Sequence, residues 1–598
     1  MTRANGATVS RGTTHFVVRS PQAQALWLCL FDSGHEQRIA MRREGEVWLV
    51  DLPGDNTGAR YGYRAAGEWA PGHGLWFDPS KLLVDPYAIE LDRRFVQDPR
   101  LARFGEDTAG LVPCAIVPGR LPLVRQCKPC FKRGGLIYEL NVRGFTMLHP
   151  DVPEGLRGTV AALAHPSIIA HLKKLQVSAV ELMPIIAWID ERHLPTLGLT
   201  NAWGYNPVVP MALDPGLCPG GVAELRETVA ALRKAGIGVI LDLVFNHTGE
   251  SDVHGGVLSL RGLDDGAYAH APDGSLINDT GCGNTLDFAN PAVRQLTLDT
   301  LRHFVRHCGV DGFRFDLATI MARGPGFSSA APLFAELAAD PLLADRVLIA
   351  EPWDIGPGGY QLGNFPPNWL EWNDRYRDDV RRFWRGDGTI GALVTRIAGS
   401  TDLFGHDCRS VNFLAAHDGF TLADTVAYAE RHNQANGEDN RDGHGENFSW
   451  NNGVEGLTSN PAINAERAAD LRALLGTLFA STGTIMLTAG DEFGRSQGGN
   501  NNAYAQSDAA FWIDWENRDR VLEDYVATLA RARIELGAWD TSFPRHGSWN
   551  GPDNHPVTSE DWENPLTDAV NYTAEVRNRR ATLHVSRSGR AAAWDIAG

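Results

Sequence analysis

Four apolar runs in this chain end in polar side chains of kinds that do chemistry. "ILDLVFNH" carries Asp242, Asn246 and His247, "GFRFDLA" carries Arg314 and Asp316, "LIAEPWD" carries Glu351, and "FLAAHDG" carries His417 and Asp418. A single buried acid at a strand end is ordinarily a satisfied structural group. Several together are harder to explain that way, because a charge removed from water must be paired. Strand periodicity turns residues two apart to the same face. Arg314 and Asp316 therefore point one way, and Phe313, Phe315 and Leu317 point the other. A guanidinium beside Asp316 favours the ionised carboxylate, the form a nucleophile at an anomeric carbon needs. Glu351 precedes Pro352 and Trp353 in an apolar run, where burial raises a carboxyl pKa as a general acid requires. Two carboxylates in such contrasting settings fit cleavage of a glycosidic bond. On spacing alone, a buried ion pair that braces the fold explains Arg314 and Asp316 equally well.

The elements that must position these groups alternate. From Gly134 onward, strand-like runs follow amphipathic helices: "GVAELRETVAALRKAG" stops at Gly236 and "IGVILDLVFN" comes directly after. "PAVRQLTLDTLRHFVRHC" opens on proline at a first helical position and leads into "DGFRFDLA". "RVLIAEPW", "SVNFLAAHDG" and "TIMLTAGDEFG" come later. This rhythm predicts a parallel sheet covered by helices, either a (β/α)8 barrel or a doubly wound sheet. No glycine-rich phosphate loop follows a strand, which weighs against a nucleotide-binding sheet. The polar groups sit where a barrel places its site, at the C-terminal strand ends. The expected fold is α/β, a (β/α)8 TIM barrel over residues 134–514.

The flanks read differently. Residues 1–14 are expected to be a loose tail. Residues 15–118 hold short strands and turns, such as "HFVVRS", "ALWLCLFD" and "EVWLVDL", and predict a β-sandwich. Residues 119–133 read as a linker. Residues 515–598 read as a helix, "VLEDYVATLARARIELG", followed by a shortened β region.

Composition narrows the partners. At 598 residues the chain exceeds one ordinary domain, and 43% hydrophobic residues are enough for real cores. A formal charge of −18 argues against nucleic acid or an anionic membrane as partner and suits a neutral substrate. No apolar run approaches a transmembrane span, and the polar start "MTRANGATVSRGTTHF" lacks a signal-peptide core. Among eight cysteines only Cys127 and Cys130 ("CKPC") are closely spaced, with no second pair to complete a zinc site. The expectation is a cytoplasmic protein with no cofactor and no metal.

Taken together, "DLVFNH", "GFRFD", "AEPWD" and "AAHD" resemble, in order, the four hallmark motifs of the α-amylase family of glycoside hydrolases. Longer stretches sharpen the resemblance to its glycogen-debranching and isoamylase branch: "YGYRAAG", "IYELNVRGFT", "WGYNP", "GCGNTLDF", "GGYQLGNFPPNWLEWND", "NGEDNRDGHGENFSWNNGVEG" and "AGDEFGRSQGGNNNAY". The N-terminal sandwich is similar to the glycogen-binding-type module of that branch. The resemblance implies a retaining mechanism with Asp316 as nucleophile, Glu351 as acid and then base, and Asp418 as transition-state stabiliser. It further implies that His247 and His417 hydrogen-bond the sugar, that Arg314 orients Asp316, and that Tyr205 stacks beneath the ring. Asp242 and Asn246 are expected to organise the barrel top.

Trp353, Tyr360, Phe365, Trp369 and Trp372 are candidate stacking platforms for a glucan, or packing. The amides of 433–453 suit either hydroxyl recognition or bonding within the loop. The implied activity is α-1,6-glucosidase action on glycogen or limit dextrin. The alternatives are a 4-α-glucanotransferase, a trehalose-releasing hydrolase, a non-catalytic glucan-binding protein and a nucleotide-dependent enzyme. Two departures from the branch stand out: Asn141 where histidine is expected, and the short C-terminal region.

Overall fold

Short alternating strands at the N-terminus pair into two four-stranded antiparallel sheets. One has the order Gly6–Ser10, Thr13–Arg19, Val47–Pro53, Arg42–Glu44. The other has Ala115–Ile116, Arg60–Ala66, Ala25–Asp32, His35–Ala40. Their inward residues, among them Phe16, Leu28, Trp48, Tyr61 and Tyr63, fill the space between the sheets. In this computed structural model the described residues are 4–405, 407–537, 543, 547–576 and 578–596. The expected tail is corrected here. Gly6–Ser10 is a strand that pairs with Thr13–Arg19 through a tight turn, with Arg11 and Gly12 both at positive φ. Residues 1–3 of that tail lie outside the described residues. The strand's apolar face is only Ala7 and Val9, too small to mark a strand in the sequence.

The alternating region closes into a barrel of eight parallel strands: Leu136–Leu140, Val177–Leu182, Gly238–Leu243, Gly312–Phe315, Val347–Ala350, Leu370–Asn373, Ser410–Asn412 and Thr484–Thr488. Its interior is filled by Ile137, Ala179, Ile240, Ile349, Leu370, Val411 and Met486, with Phe131 packed against them. Residue 131 belongs to the stretch expected to be a linker. That stretch is anchored to the barrel: Val124 donates its N–H to Arg306 O, and Arg346 donates to Cys127 O.

Helix Pro291–Cys308 shows how the sequence aims a strand. Asn290 caps it, Pro291 starts it, and Gly309 ends it at φ 76. Asp311 then accepts the N–H groups of Cys130 and Val239 and pairs with Arg233, which fixes the start of the fourth strand.

Beyond the barrel, helix Arg520–Leu536 leads to a four-stranded antiparallel sheet ordered Ser548–Asn550, Ala569–Val576, Arg579–Ser586, Ala591–Ile596. Residues 538–542, 544–546, 577 and 597–598 of this region lie outside the described residues. The last strand rests on helix Pro461–Ala480 at Gly476, where a Cβ would stand 2.0 Å from Ala592 O. Only glycine permits that approach. The module and the barrel also share one core: Val208, Val209, Val257, Leu258 and Leu263 cluster with the residues of the N-terminal sheets.

Candidate active site

The fourth strand ends at Phe315. Phe313 and Phe315 are fully buried outside the barrel against its helices, while Arg314 points to the interior. Leu317, one residue past Asp316, sits at φ 39, ψ 53. This left-handed conformation is unfavourable for leucine, and strain of this kind persists where surrounding contacts enforce it. Here the enforcing contacts are two. Leu317 donates its N–H to Glu351 Oε2 at 2.7 Å, and Ala318 donates to Glu351 O at 2.9 Å. The turn that carries Asp316 thus grips Glu351 directly.

Arg314 is the electrostatic centre. Its Nη1 lies 3.0 Å from both oxygens of Asp242 and 3.2 Å from Asp316 Oδ1, and its Nη2 lies 3.1 Å from Glu351 Oε2. Its guanidinium stacks over Trp372 with 4.3 Å to the ring centroid. One fully buried cation therefore faces three carboxyls. Burial pushes Glu351 up to about 8; Arg314 opposes the shift and the charge of Asp316 adds to it. Burial also raises Asp242 to about 6, again opposed by Arg314. Asp316 is held from a second side, where Asn246 Nδ2 donates to its Oδ2 at 2.7 Å and to its carbonyl at 2.8 Å.

Asp418 stands apart from this group and is 42% accessible. Burial acts to raise it, but the charge and hydrogen bond of His444, with His417 and Arg377, outweigh burial and hold it at about 2. His417 is fixed by Glu139 of the first strand, which contacts its Nδ1 at 2.7 Å and accepts its backbone N–H at 2.9 Å. Burial opposes protonation of His417, and Glu139 raises its pKa nonetheless. Tyr205 stacks on the His417 ring at 4.7 Å, 21° between planes, and donates its hydroxyl to Asp242. Deeper in the barrel, Glu181 is fully buried, with no hydrogen-bond partner among the described residues for either carboxylate oxygen. Burial, then Asp242 and Glu139, push its pKa far up, so it is a neutral acid.

Tyr205, Arg314, Asp316, Glu351 and His417 are thereby linked through shared partners, and Asp418 follows His417 directly in the chain. His247 is placed differently from its expected contact with sugar. It is 2% exposed, and its ring nitrogens face Asn246 Oδ1 and, at 2.9 Å, Tyr205 O. Burial disfavours the charged form of the ring, and the ring backs Asn246, which donates to Asp316.

The aromatic candidates also divide. Phe365 and Trp369 are core, packed with Phe315 and Phe334, and Trp372 lies inside the barrel under Arg314. Trp353 remains half-buried and Tyr360 is 44% exposed. A cleft of about 630 Å³ opens beside Tyr205, lined by groups such as Glu191, Arg192, Asn206, Asp252 and Asn278. Among the described residues no group of three or more His, Cys, Asp or Glu is arranged to hold a metal ion.

Sequence reasoning missed Glu139, Glu181 and His444. Glu139 and Glu181 sit inside strand-like runs at period-two inner positions, the same signal that marked Arg314. His444 carries no such signal, because a loop brings it to Asp418 from 26 residues away. Asn141, the departure from the branch pattern, caps helix Val142–Thr146 and donates to Ala202 O.

Residues 5–88 match the model of carbohydrate-binding module 48, the isoamylase N-terminal domain. The chain is 46% identical over 574 residues to a glycogen debranching enzyme of Yersinia enterocolitica, covering 92% of this chain and 87% of that one. It is 45% identical over 585 residues to a glycogen debranching enzyme of Serratia proteamaculans, covering 93% and 88%. Among solved structures it is similar in fold to a pullulanase from Anoxybacillus sp. complexed with maltotriose. There the TM-score is 0.71 at 23% identity, over 97% of this chain and 80% of that one. A type I pullulanase from Bacillus subtilis complexed with maltose gives 0.73 at 22%, over 98% and 79%.

Proposed function

The chain belongs to the glycogen debranching enzyme family of glycoside hydrolases, and we propose that it hydrolyses α-1,6 branch linkages of glycogen or limit dextrin with retention of configuration. The observation that carries this reading is the split setting of Asp316 and Glu351 around Arg314. Asp316 receives donors from Arg314 and Asn246, and Glu351 is pushed up to about 8. At neutral pH one carboxyl is equipped to attack and the other still carries a proton.

In the first step Asp316 attacks the anomeric carbon and forms an ester bond to it. Glu351 gives its proton to the departing O6 of the main chain. In the second step the Glu351 carboxylate takes a proton from water, and the hydroxide oxygen displaces Asp316, releasing a linear malto-oligosaccharide. Asp418 hydrogen-bonds sugar hydroxyls and balances the positive charge that develops at the ring. His417 adds a donor to the same sugar, held by Glu139. Tyr205 offers its face to the ring, and Trp353 lies beside the acid. Arg314 and Asn246 orient Asp316, with His247 behind Asn246.

The substrate is a neutral polyol, in keeping with the acidic chain. No helix among the described residues is long and apolar enough to cross a membrane, and no disulfide joins the cysteines. Free thiols are in keeping with the reducing cytoplasm as the chain's place of action.

The decisive experiment incubates the protein with phosphorylase-limit dextrin and sizes the products. Release of linear chains of a few glucose units is expected. No release overturns the reading, and redistributed chain lengths without net new reducing ends favour glucanotransfer. Asp316→Asn should lower turnover roughly a thousand-fold or more while dextrin still binds. Substantial residual turnover would mean that another residue is the nucleophile.

A further inference from the structure

The loop over residues 433–453 is held by its own amides. Asn501, fully buried in the segment after the eighth barrel strand, donates from Nδ2 to His444 O at 2.9 Å and to Asn447 Oδ1 at 2.8 Å. Its Oδ1 accepts from Asn433 Nδ2 at 2.8 Å, and its backbone carbonyl accepts the N–H of Gly419 at 3.0 Å. Asn436 and Asn502 both donate to Asp442 Oδ2, at 2.7 and 2.9 Å. From helix Asp374–Arg385, Arg381 donates to Asn447 O and Leu414 O, tying the loop to the strand seven segment.

The outcome of this bracing is one contact: His444 Nε2 lies 2.9 Å from Asp418 Oδ2. Asn501 holds both sides of it, the carbonyl of His444 and the residue after Asp418. Both side chains of the contact are 42% accessible. The contact is therefore built from behind and open to solvent on its other side.

We propose that His444 is a positioning residue for Asp418. It occupies Oδ2, fixes the rotation of the carboxylate, and favours its ionised form. The proposal rests on the reading of Asp418 as the group that bonds sugar hydroxyls in the transition state. The groups facing the pair are Asp418 itself, His417 beside it, and Arg377 and Arg381 from helix Asp374–Arg385. Asp418 favours the charged imidazole, burial and the two arginines oppose it, and the net shift is upward. The aligning contact thus comes from a long loop and not from the barrel. Any substrate feature that moves the loop moves Asp418 with it.

The test compares wild type, His444→Ala and His444→Gln on limit dextrin at pH 6.5, with histidine titrations followed by NMR in wild type and Asp418→Asn. His444→Ala should lower kcat by about ten-fold with KM changed less than about three-fold, and His444→Gln, which retains an N–H donor, should recover part of the loss. The His444 imidazole should titrate above its ordinary value of about 6.5 in wild type and fall by roughly half a unit or more in Asp418→Asn. The proposal is overturned when His444→Ala keeps more than half of the wild-type kcat. It is equally overturned when Ala and Gln lose kcat alike in step with lost thermal stability, or when the His444 titration ignores Asp418→Asn. If wild type releases no chains from limit dextrin, the debranching reading fails, and the NMR arm still judges the pairing by itself.

Discussion

Glu351 makes the site's chemistry visible in pH. Its carboxyl is held at about 8 in the fold by burial, against an ordinary value of 4.5. With Glu351 as the proposed acid, competent while protonated, kcat/KM on limit dextrin should decline as pH rises through about 8. The same shift is a stability statement. The folded chain keeps a proton that the unfolded chain releases above its ordinary value. The contribution of Glu351 is full below pH 4.5 and is lost as pH rises through about 8. Glu351→Gln should therefore be inactive yet lose less thermal stability than wild type between pH 6 and pH 9. A pH-independent kcat/KM up to pH 9.5, or identical stability profiles for the two proteins, would contradict this account.

At the same scale, the residues legible in the sequence were those at period two in strand-like runs. Arg314 and Asp316 share a face because a strand forces it. Spacing could not tell that Arg314 also reaches Asp242 and Glu351, because those contacts cross between strands. His247 was legible only in part for a related reason. Its position in a motif says which strand end it occupies but not which way its ring nitrogens are satisfied.

Among the elements, the long helices and apolar strands were legible because their periods repeat. The sixth barrel strand, Leu370–Asn373, was not, because four residues inside an aromatic-rich stretch give no period to count. The stretch read there as platforms is partly that strand and its packing. The strand Gly6–Ser10 escaped because its apolar face is only Ala7 and Val9.

Close packing between elements also follows from single residues. Gly476 lets the last strand of the C-terminal sheet lie on helix Pro461–Ala480. Gly476→Val should force the two apart and lower stability by about 2–4 kcal/mol, read as a fall in Tm. Turnover per folded molecule should stay near wild type, since no catalytic group lies on that contact. A Tm within a degree of wild type would show that the sheet shifts freely.

Across the whole molecule, the boundary between module and barrel is a chain boundary more than a physical one. Residues of both form one apolar cluster. Ser20 Oγ donates to Leu263 O at 2.6 Å and Arg19 pairs with Asp264, which ties the module to the segment that walls the cleft. Calorimetry of the full chain should show module and barrel melting together, in one transition. A separate low-temperature transition assigned to residues 5–118 would refute the shared core.

That segment carries a further consequence. Arg261, fully buried, donates to the carbonyls of Glu250, Ser251 and Asp252, and its guanidinium stacks on Trp76 of the module, 4.8 Å from the ring centroid. Ser251 and Asp252 border the cleft. The rim of that cleft is thus bolted to the N-terminal module through one cation. An engineer who swaps this module for another, cutting at the linker, removes a brace of the cleft along with it.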